Sequence, residues 1–167
     1  FVDINKDVVN GLKCRDTYTI KILDENIEEI ELNNFDALNI AEEKEELYKA
    51  IGDVELITTS IGPNVLPIIA KDIAEGLKLK VANNNTKLLD IIACENMIAG
   101  SDFLKQEIYK QLTEEEQKFV EACVGFPNSA VDRIVPAQKH EDVLLVEVEK
   151  FCEWVIEEDK IKVEKNK

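Results

Sequence analysis

The stretch Leu88-Leu89-Asp90-Ile91-Ile92-Ala93-Cys94 decides the fold class of this chain. Such a nearly continuous apolar run is typical of a strand buried on both faces, as strands of helix-covered parallel sheets are. On its N-terminal side, residues 53–59 predict another strand, and four-residue spacing predicts an amphipathic helix between the two strands through Val65, Ile69, Ile73 and Leu77. On its C-terminal side, the same spacing predicts a helix through Leu104, Ile108 and Leu112. This alternation indicates βαβ units, and hence an α/β fold with a mostly parallel sheet.

The N-terminal segment adds a hairpin to this pattern. Phe1-Val2-Asp3-Ile4 has the character of a strand end, and a helix is predicted over residues 5–13 with Asn5 as its N-cap. Apolar and polar residues then alternate over residues 18–22 and again over 30–32, with a polar turn between them. This period of two predicts a β-hairpin with one apolar and one solvated face.

Other local signals place the remaining elements. A charged helix is predicted over residues 41–51 and ended by Gly52, and Gly76 is expected near the end of the helix that contains Ile73. Thr113-Glu114-Glu115-Glu116 predicts a capping box at the start of another helix. Two strands are predicted after Pro136, over residues 143–148 and 151–156. The polar tail over residues 160–167 is expected to fray.

Composition limits the partners. The 167 residues contain 20 Lys and Arg against 35 Asp and Glu, a net charge of −15. A field of this sign disfavours nucleic acid and anionic membranes, since both are bound through cationic contacts. The apolar runs are also shorter than the roughly 20 residues of a membrane span.

The cysteines and the single histidine indicate neither a disulfide scaffold nor a metal site. Cys14, Cys94, Cys123 and Cys152 lie far apart without a C-x-x-C pair, so we expect reduced thiols in a cytoplasmic protein, with Cys94 and Cys123 in the core. His140 has no zinc-ligand spacing and no nucleophile motif beside it.

Ligands of open parallel sheets bind beyond the carboxyl ends of the strands, and this rule selects four candidate places. Asp3 follows an apolar strand end, where a carboxylate can accept hydrogen bonds from an adenosine ribose; a solvated strand-end aspartate is the alternative. Lys6 nearby leaves NADP open beside NAD. The loop Thr58-Thr59-Ser60-Ile61-Gly62-Pro63-Asn64 leads into a helix and can receive a ligand's negative charge, or is a plain turn.

The other two places follow later elements. Asn96 can donate a hydrogen bond to a developing alkoxide, or it caps the next helix. Asp132 and Arg133 lie between two prolines in an otherwise apolar loop; they either form an ion pair, or Asp132 supplies a carboxylate that binds sugar hydroxyls. The chain contains no G-x-G-x-x-G and no P-loop, so a phosphate cradle of either kind is not among these residues.

Two motifs carry a resemblance to a known family. They are Ile92-Ala93-Cys94-Glu95-Asn96-Met97 and Val124-Gly125-Phe126-Pro127-Asn128-Ser129-Ala130-Val131-Asp132-Arg133-Ile134-Val135-Pro136, and together they resemble the polyol-specific long-chain dehydrogenases. The resemblance covers essentially the whole chain. It implies a partial NAD-binding Rossmann domain over residues 1–167 whose first βα unit, with the glycine-rich loop, and whose C-terminal substrate domain, with the catalytic lysine, lie outside this chain.

The resemblance also implies roles for individual residues. Asp3 would hold the adenosine ribose, and Thr59, Ile61 and Gly62 would line the NAD cleft. Asn96 would donate to the reacting oxygen, and Asp132 would contact the polyol. Apart from the resemblance, the cationic residues near Asp132 are candidates for binding a substrate phosphate: Arg133, Lys139 and His140.

The resemblance implies a zinc-independent hydride transfer between NAD and a small sugar phosphate or polyol. Within the family, the reaction most strongly implied is the interconversion of mannitol 1-phosphate and fructose 6-phosphate. The parent would be a monomer or dimer, and the fragment alone is expected to be inactive. A related polyol or uronate dehydrogenase and a non-catalytic acidic module that binds a protein remain alternatives.

Overall fold

The computed structural model describes residues 1–136 and 140–163. The strands are β1 (Val2–Asp3), β2 (Thr17–Leu23), β3 (Glu28–Asn33), β4 (Leu38–Asn39), β5 (Leu56–Thr59), β6 (Leu89–Ala93), β7 (Val124–Gly125), β8 (Ser129–Asp132), β9 (Val146–Glu149) and β10 (Glu153–Ile156). The α-helices are α1 (Lys6–Lys13), α2 (Lys44–Asp53), α3 (Leu66–Ala82), α4 (Gly100–Tyr109) and α5 (Glu114–Cys123). Short 3₁₀ turns span Pro63–Val65 and Glu158–Lys160.

The chain forms two compact units, of which the first contains residues 1–47 and 132–153. In it, β1 and β4 pair in parallel, and the predicted hairpin of β2 and β3 is extended by a parallel strand, β9. Its small core is formed by one face of α1 (Val9 and Leu12) together with Ala37 before β4 and Leu144 before β9. The hairpin is therefore confirmed, and β9 joins it through residues more than 120 positions away along the chain.

The second unit contains residues 48–131 and 154–167 and holds the parallel sheet β5-β6-β7. Every residue of β6 is buried, which confirms the interpretation of the apolar run. Helix α3 contributes fully buried residues to the same core, among them Leu66, Ala70 and Leu77. The α/β class with parallel pairing is thus confirmed. Among the described residues, the parallel pairs lie in three separate sheets: β1-β4, β2-β9 with β3 on the other side of β2, and β5-β6-β7.

Local capping signals predicted two helix starts correctly, whereas two glycine predictions were wrong. Asn5 accepts from the backbone of Asp7, and Thr113 forms the predicted capping box. Gly52 lies inside α2 rather than after it, and Gly76 lies well inside α3. A Cβ on Gly76 would lie 2.5 Å from the Cβ of Ile51, so this glycine permits close helix packing instead of ending a helix.

The expectation of a frayed tail was wrong for residues 160–163; residues 164–167 lie outside the described part. The Lys160 ammonium binds Asp102 at 2.7 Å, and the backbone N–H groups of Lys162 and Val163 donate to the Asp90 carboxylate at 2.8 and 3.1 Å. Asp90 is 4% exposed, and a carboxylate buried in this way requires donors. The tail supplies them and is held in place by doing so.

The four cysteines are free thiols, and Cys123 is buried while Cys94 is half-buried. Within residues 1–136 and 140–163, none of the helices has the length and apolarity that crossing a membrane requires.

Candidate functional site

The candidate site of the second unit lies where β5 and β6 end. The two strands are parallel and in register, with Thr59 opposite Ala93, so the loops that follow them leave the sheet at the same edge. The backbone N–H of Cys94 continues the ladder by donating to the Thr59 carbonyl at 2.9 Å. This geometry brings Thr59, Ile61 and Gly62 next to the segment that carries Asn96, as the sequence predicted from strand ends.

Glu95 joins the two loops. Its Oε1 accepts from the Thr59 hydroxyl at 2.8 Å and from the Ile61 N–H at 2.9 Å, and its Oε2 accepts from the Gly62 N–H at 2.8 Å. The sequence predicted that these loop amides would receive negative charge from a ligand. The structure shows that a carboxylate of the same chain supplies that charge.

Asn96 is exposed, and its side chain makes no hydrogen bond within the described residues. The alternative that Asn96 caps the next helix is wrong, because α4 begins at Gly100 after Ala99, a residue in the left-handed region with no side-chain cap. The amide of Asn96 is consequently available to an external acceptor.

Asn128 performs the capping that Asn96 does not. Its Oδ1 accepts from the N–H groups of Ser101 and Asp102 at 3.2 and 3.3 Å, and its Nδ2 donates to the carboxylates of Asp102 and Glu157 at 2.8 and 3.0 Å. Next to it, the Ser129 hydroxyl donates to the Ala93 carbonyl at 3.3 Å. The motif around residue 128 therefore holds the start of α4 and the end of β6 in place, a role that the sequence did not predict.

In the first unit, Asp3 ends β1 with an exposed side chain. Its Oδ1 accepts from the Asn5 N–H at 2.7 Å, which orders the turn into α1, and its second oxygen has no partner within the described residues. Lys6, which left the coenzyme preference open, forms an ion pair with Glu42.

Asp132 and Arg133 also belong to the first unit. Asp132 is exposed, and the described residues show no ion pair between the two, so that alternative is wrong. Arg133 instead donates from Nε to the Glu149 carbonyl at 3.2 Å. His140 lies 3.6 Å from Glu147, and Lys139 lies outside the described residues.

Thiol chemistry at the strand ends is disfavoured. Burial raises the pKa of Cys94, the residue directly before Glu95, and the pKa of Cys123 in the core for the same reason. Both therefore rest as neutral thiols at pH 7. Among the described residues, no group of three His, Cys, Asp or Glu side chains is arranged to hold a metal ion.

Known protein sequences match this chain along its whole length. The profile of the mannitol dehydrogenase Rossmann domain matches residues 1–167. The chain is 49% identical over 162 residues to a mannitol-1-phosphate 5-dehydrogenase of Lacticaseibacillus casei, covering 97% of this chain and 42% of that protein. It is 51% identical over 162 residues to a Bacillus subtilis protein of the same name, covering 97% and 43% respectively. The chain thus spans well under half the length of these relatives.

Solved structures show the same fold. Mannitol 2-dehydrogenase of Pseudomonas fluorescens, solved as a ternary complex with NAD and D-mannitol, superposes with a TM-score of 0.82 at 15% identity, covering 98% of this chain and 43% of that one. A D-sorbitol dehydrogenase gives 0.79 at 17% identity, covering 93% and 43%. With the profile match over all 167 residues, these findings show that the chain belongs to the mannitol dehydrogenase Rossmann-domain family.

Proposed function

We propose that this chain is the NAD-binding Rossmann portion of an enzyme that interconverts mannitol 1-phosphate and fructose 6-phosphate. The observation that carries the proposal is the identity of 49–51% over 97% of the chain to proteins named mannitol-1-phosphate 5-dehydrogenase. The glycine-rich loop and the lysine base would be supplied by parts of the parent protein outside these 167 residues.

The residues present fit NAD at one end of the coenzyme. Asp3 lies at a strand end, and its second carboxylate oxygen has no partner among residues 1–136 and 140–163, which suits a ribose hydroxyl. Lys6 forms an ion pair with Glu42, so its charge is less able to attract the 2′-phosphate of NADP. This pairing favours NAD over NADP. Gly62, at a φ of 91° with nothing within 4 Å of its Cβ position, leaves the loop surface beside Thr59 and Ile61 open for the coenzyme.

In this proposal NAD, when bound, accepts the hydride from the alcohol carbon. The chain's own part is to bind and orient the substrate. Asn96 donates its amide N–H to the substrate oxygen, which gains negative charge as its proton leaves for the lysine base. Asp132 accepts hydrogen bonds from polyol hydroxyls, and Arg133 lies beside it as a candidate for the phosphate.

The test is a steady-state assay of the full-length parent. We expect NADH formation with mannitol 1-phosphate and little with mannitol or uronates. Asn96→Ala should lower kcat by about 10²–10³-fold, as loss of an oxyanion donor does, whereas Asp132→Asn should chiefly raise KM for the polyol.

Ile98→Ala is the matched control on the same loop, since this side chain is 96% exposed. Efficient oxidation of mannitol would favour the related polyol dehydrogenase. Full activity of both Asn96→Ala and Asp132→Asn would refute the assigned roles and favour the interaction module.

A further inference from the structure

We infer that Glu95 is the positioning residue for Asn96, because its carboxylate fixes the Asn96 segment against the loop that follows β5. The inference rests on the proposed function, in which the Asn96 amide contacts the reacting oxygen.

Three hydrogen bonds hold the Glu95 carboxylate in place. Both carboxylate oxygens are used, and the three donors lie at the end of β5 and just after it: the hydroxyl of Thr59 and the backbone N–H groups of Ile61 and Gly62, all at 2.8–2.9 Å. Thr59 is 6% exposed and anchored in β5, so its hydroxyl is a fixed point. Hydrogen bonds to an ionised acceptor are roughly twice as strong as neutral ones.

The Asn96 segment is held on both sides of its own free side chain. Before it, Glu95 is bound as described, and its carbonyl accepts from the Met97 N–H at 2.7 Å in a tight turn. After it, Asn128 binds the N–H groups of Ser101 and Asp102 at the start of α4. Such bracing preorganises the amide, and preorganised donors stabilise developing charge without reorganising during the reaction.

A double-mutant cycle in the full-length parent separates positioning from general stability. Glu95→Gln keeps the size of the side chain but turns an amide NH₂ toward a backbone donor. With mannitol 1-phosphate we expect kcat to fall about 10–100-fold and KM to change little, because the misplaced Asn96 amide acts mainly in the transition state. In the Asn96→Ala background, Glu95→Gln should lower kcat by less than about 2-fold, since the donor it positions is gone.

Three measurements complete the design. Glu75→Gln, an exposed glutamate of α3 paired with Lys78, is the matched control and should leave kcat unchanged. Thermal unfolding shows whether Glu95→Gln is folded. If it is not, Thr59→Val, which removes one of the three donors, should show a smaller kcat loss that also vanishes in the Asn96→Ala background.

The outcomes distinguish this inference from the function on which it rests. An equal loss of kcat from Glu95→Gln in both backgrounds, or no loss in the wild-type background, overturns the positioning role while an impaired Asn96→Ala still supports the function. A fully active Asn96→Ala overturns the function itself, and the inference with it.

Discussion

Replacing Asn128 by aspartate tests whether this side chain is both a helix cap and a donor to two carboxylates. Asn128→Asp retains the oxygen that accepts from the N–H groups of Ser101 and Asp102. It loses the NH₂ that donates to Asp102 at 2.8 Å and to Glu157 at 3.0 Å, and it places a third carboxylate beside those two. Asn128→Ala loses the cap and the donor without adding charge, so the two variants separate the contributions.

The magnitudes follow from these distances. Loss of the cap costs about 1 kcal/mol, and loss of the hydrogen bond to the charged Asp102 costs about 1.5 kcal/mol, the low end for such a bond. Asn128→Ala should therefore lower the free energy of unfolding by about 2.5 kcal/mol. Two charges about 3 Å apart repel by about 1.4 kcal/mol even at the dielectric constant of water. The Lys160 ammonium, 2.7 Å from Asp102 and 3.1 Å from Glu157, offsets part of this repulsion. The cap that Asn128→Asp keeps offsets a further part, so this variant should be less stable than Asn128→Ala by less than the repulsion alone would give.

Urea unfolding of the chain followed by far-UV circular dichroism at pH 7 measures both differences. The gap between the variants should narrow as the pH falls, because protonation of the introduced carboxyl removes the repulsion and restores a donor. An Asn128→Asp variant that equals or exceeds Asn128→Ala in stability at pH 7 would refute the assigned contacts.

Two further predictions concern stability. Gly76→Ala should lower the free energy of unfolding by about 1–3 kcal/mol, because the added Cβ overlaps Ile51. Gly52→Ala, with nothing within 4 Å of its Cβ position, should raise the free energy of unfolding by up to about 1 kcal/mol. Thermal melts in which both variants shift the melting temperature in the same direction would contradict this. The hydrogen bond from Lys160, followed by that from Asn128, lowers the pKa of Asp102 in the folded state, so its stabilisation is present above the ordinary aspartate pKa and is lost as the pH falls through the depressed one. The free energy of unfolding should therefore fall less steeply with decreasing pH in Asp102→Asn than in wild type.

The elements that the sequence predicted correctly are those whose signal is local. A continuous apolar run defined β6, period-two alternation defined the hairpin, and the capping box at Thr113 marked α5. Gly52 is the penultimate residue of α2 and makes no close contact at its Cβ position, so the end of this helix was predicted only slightly too early in the chain. Gly76 was misinterpreted because glycine serves both as a helix terminator and as a site of close packing. The choice between these roles depends on the helix that packs against it, which here brings Ile51 against Gly76.

The sequence predicted which residues lie at the candidate site, but not which residues contact one another there. Strand ends selected Thr59 and Asn96, but the contacts of Glu95 join residues 33 to 36 positions apart, and nothing in the spacing specifies them. The usable signal was an acidic residue directly before the candidate donor, opposite a loop with free amides. A carboxylate and a pair of N–H groups at one sheet edge are complementary before any ligand is considered.

Asp90, the polar residue in the apolar run of β6, shows that the fold contains contacts of the same kind. Asp90 lies within β6, where every neighbour is buried, and its carboxylate would be strongly destabilising without donors. Gly125 on the paired strand leaves the necessary space, since a Cβ there would lie 2.1 Å from Asp90 Oδ1 and 2.5 Å from the Lys160 carbonyl. The chain after β10 passes through that space, where the N–H groups of Lys162 and Val163 donate to the Asp90 carboxylate. A charged residue inside a strand that is otherwise apolar therefore predicts a backbone segment that must come to meet it, even when the sequence does not reveal which one.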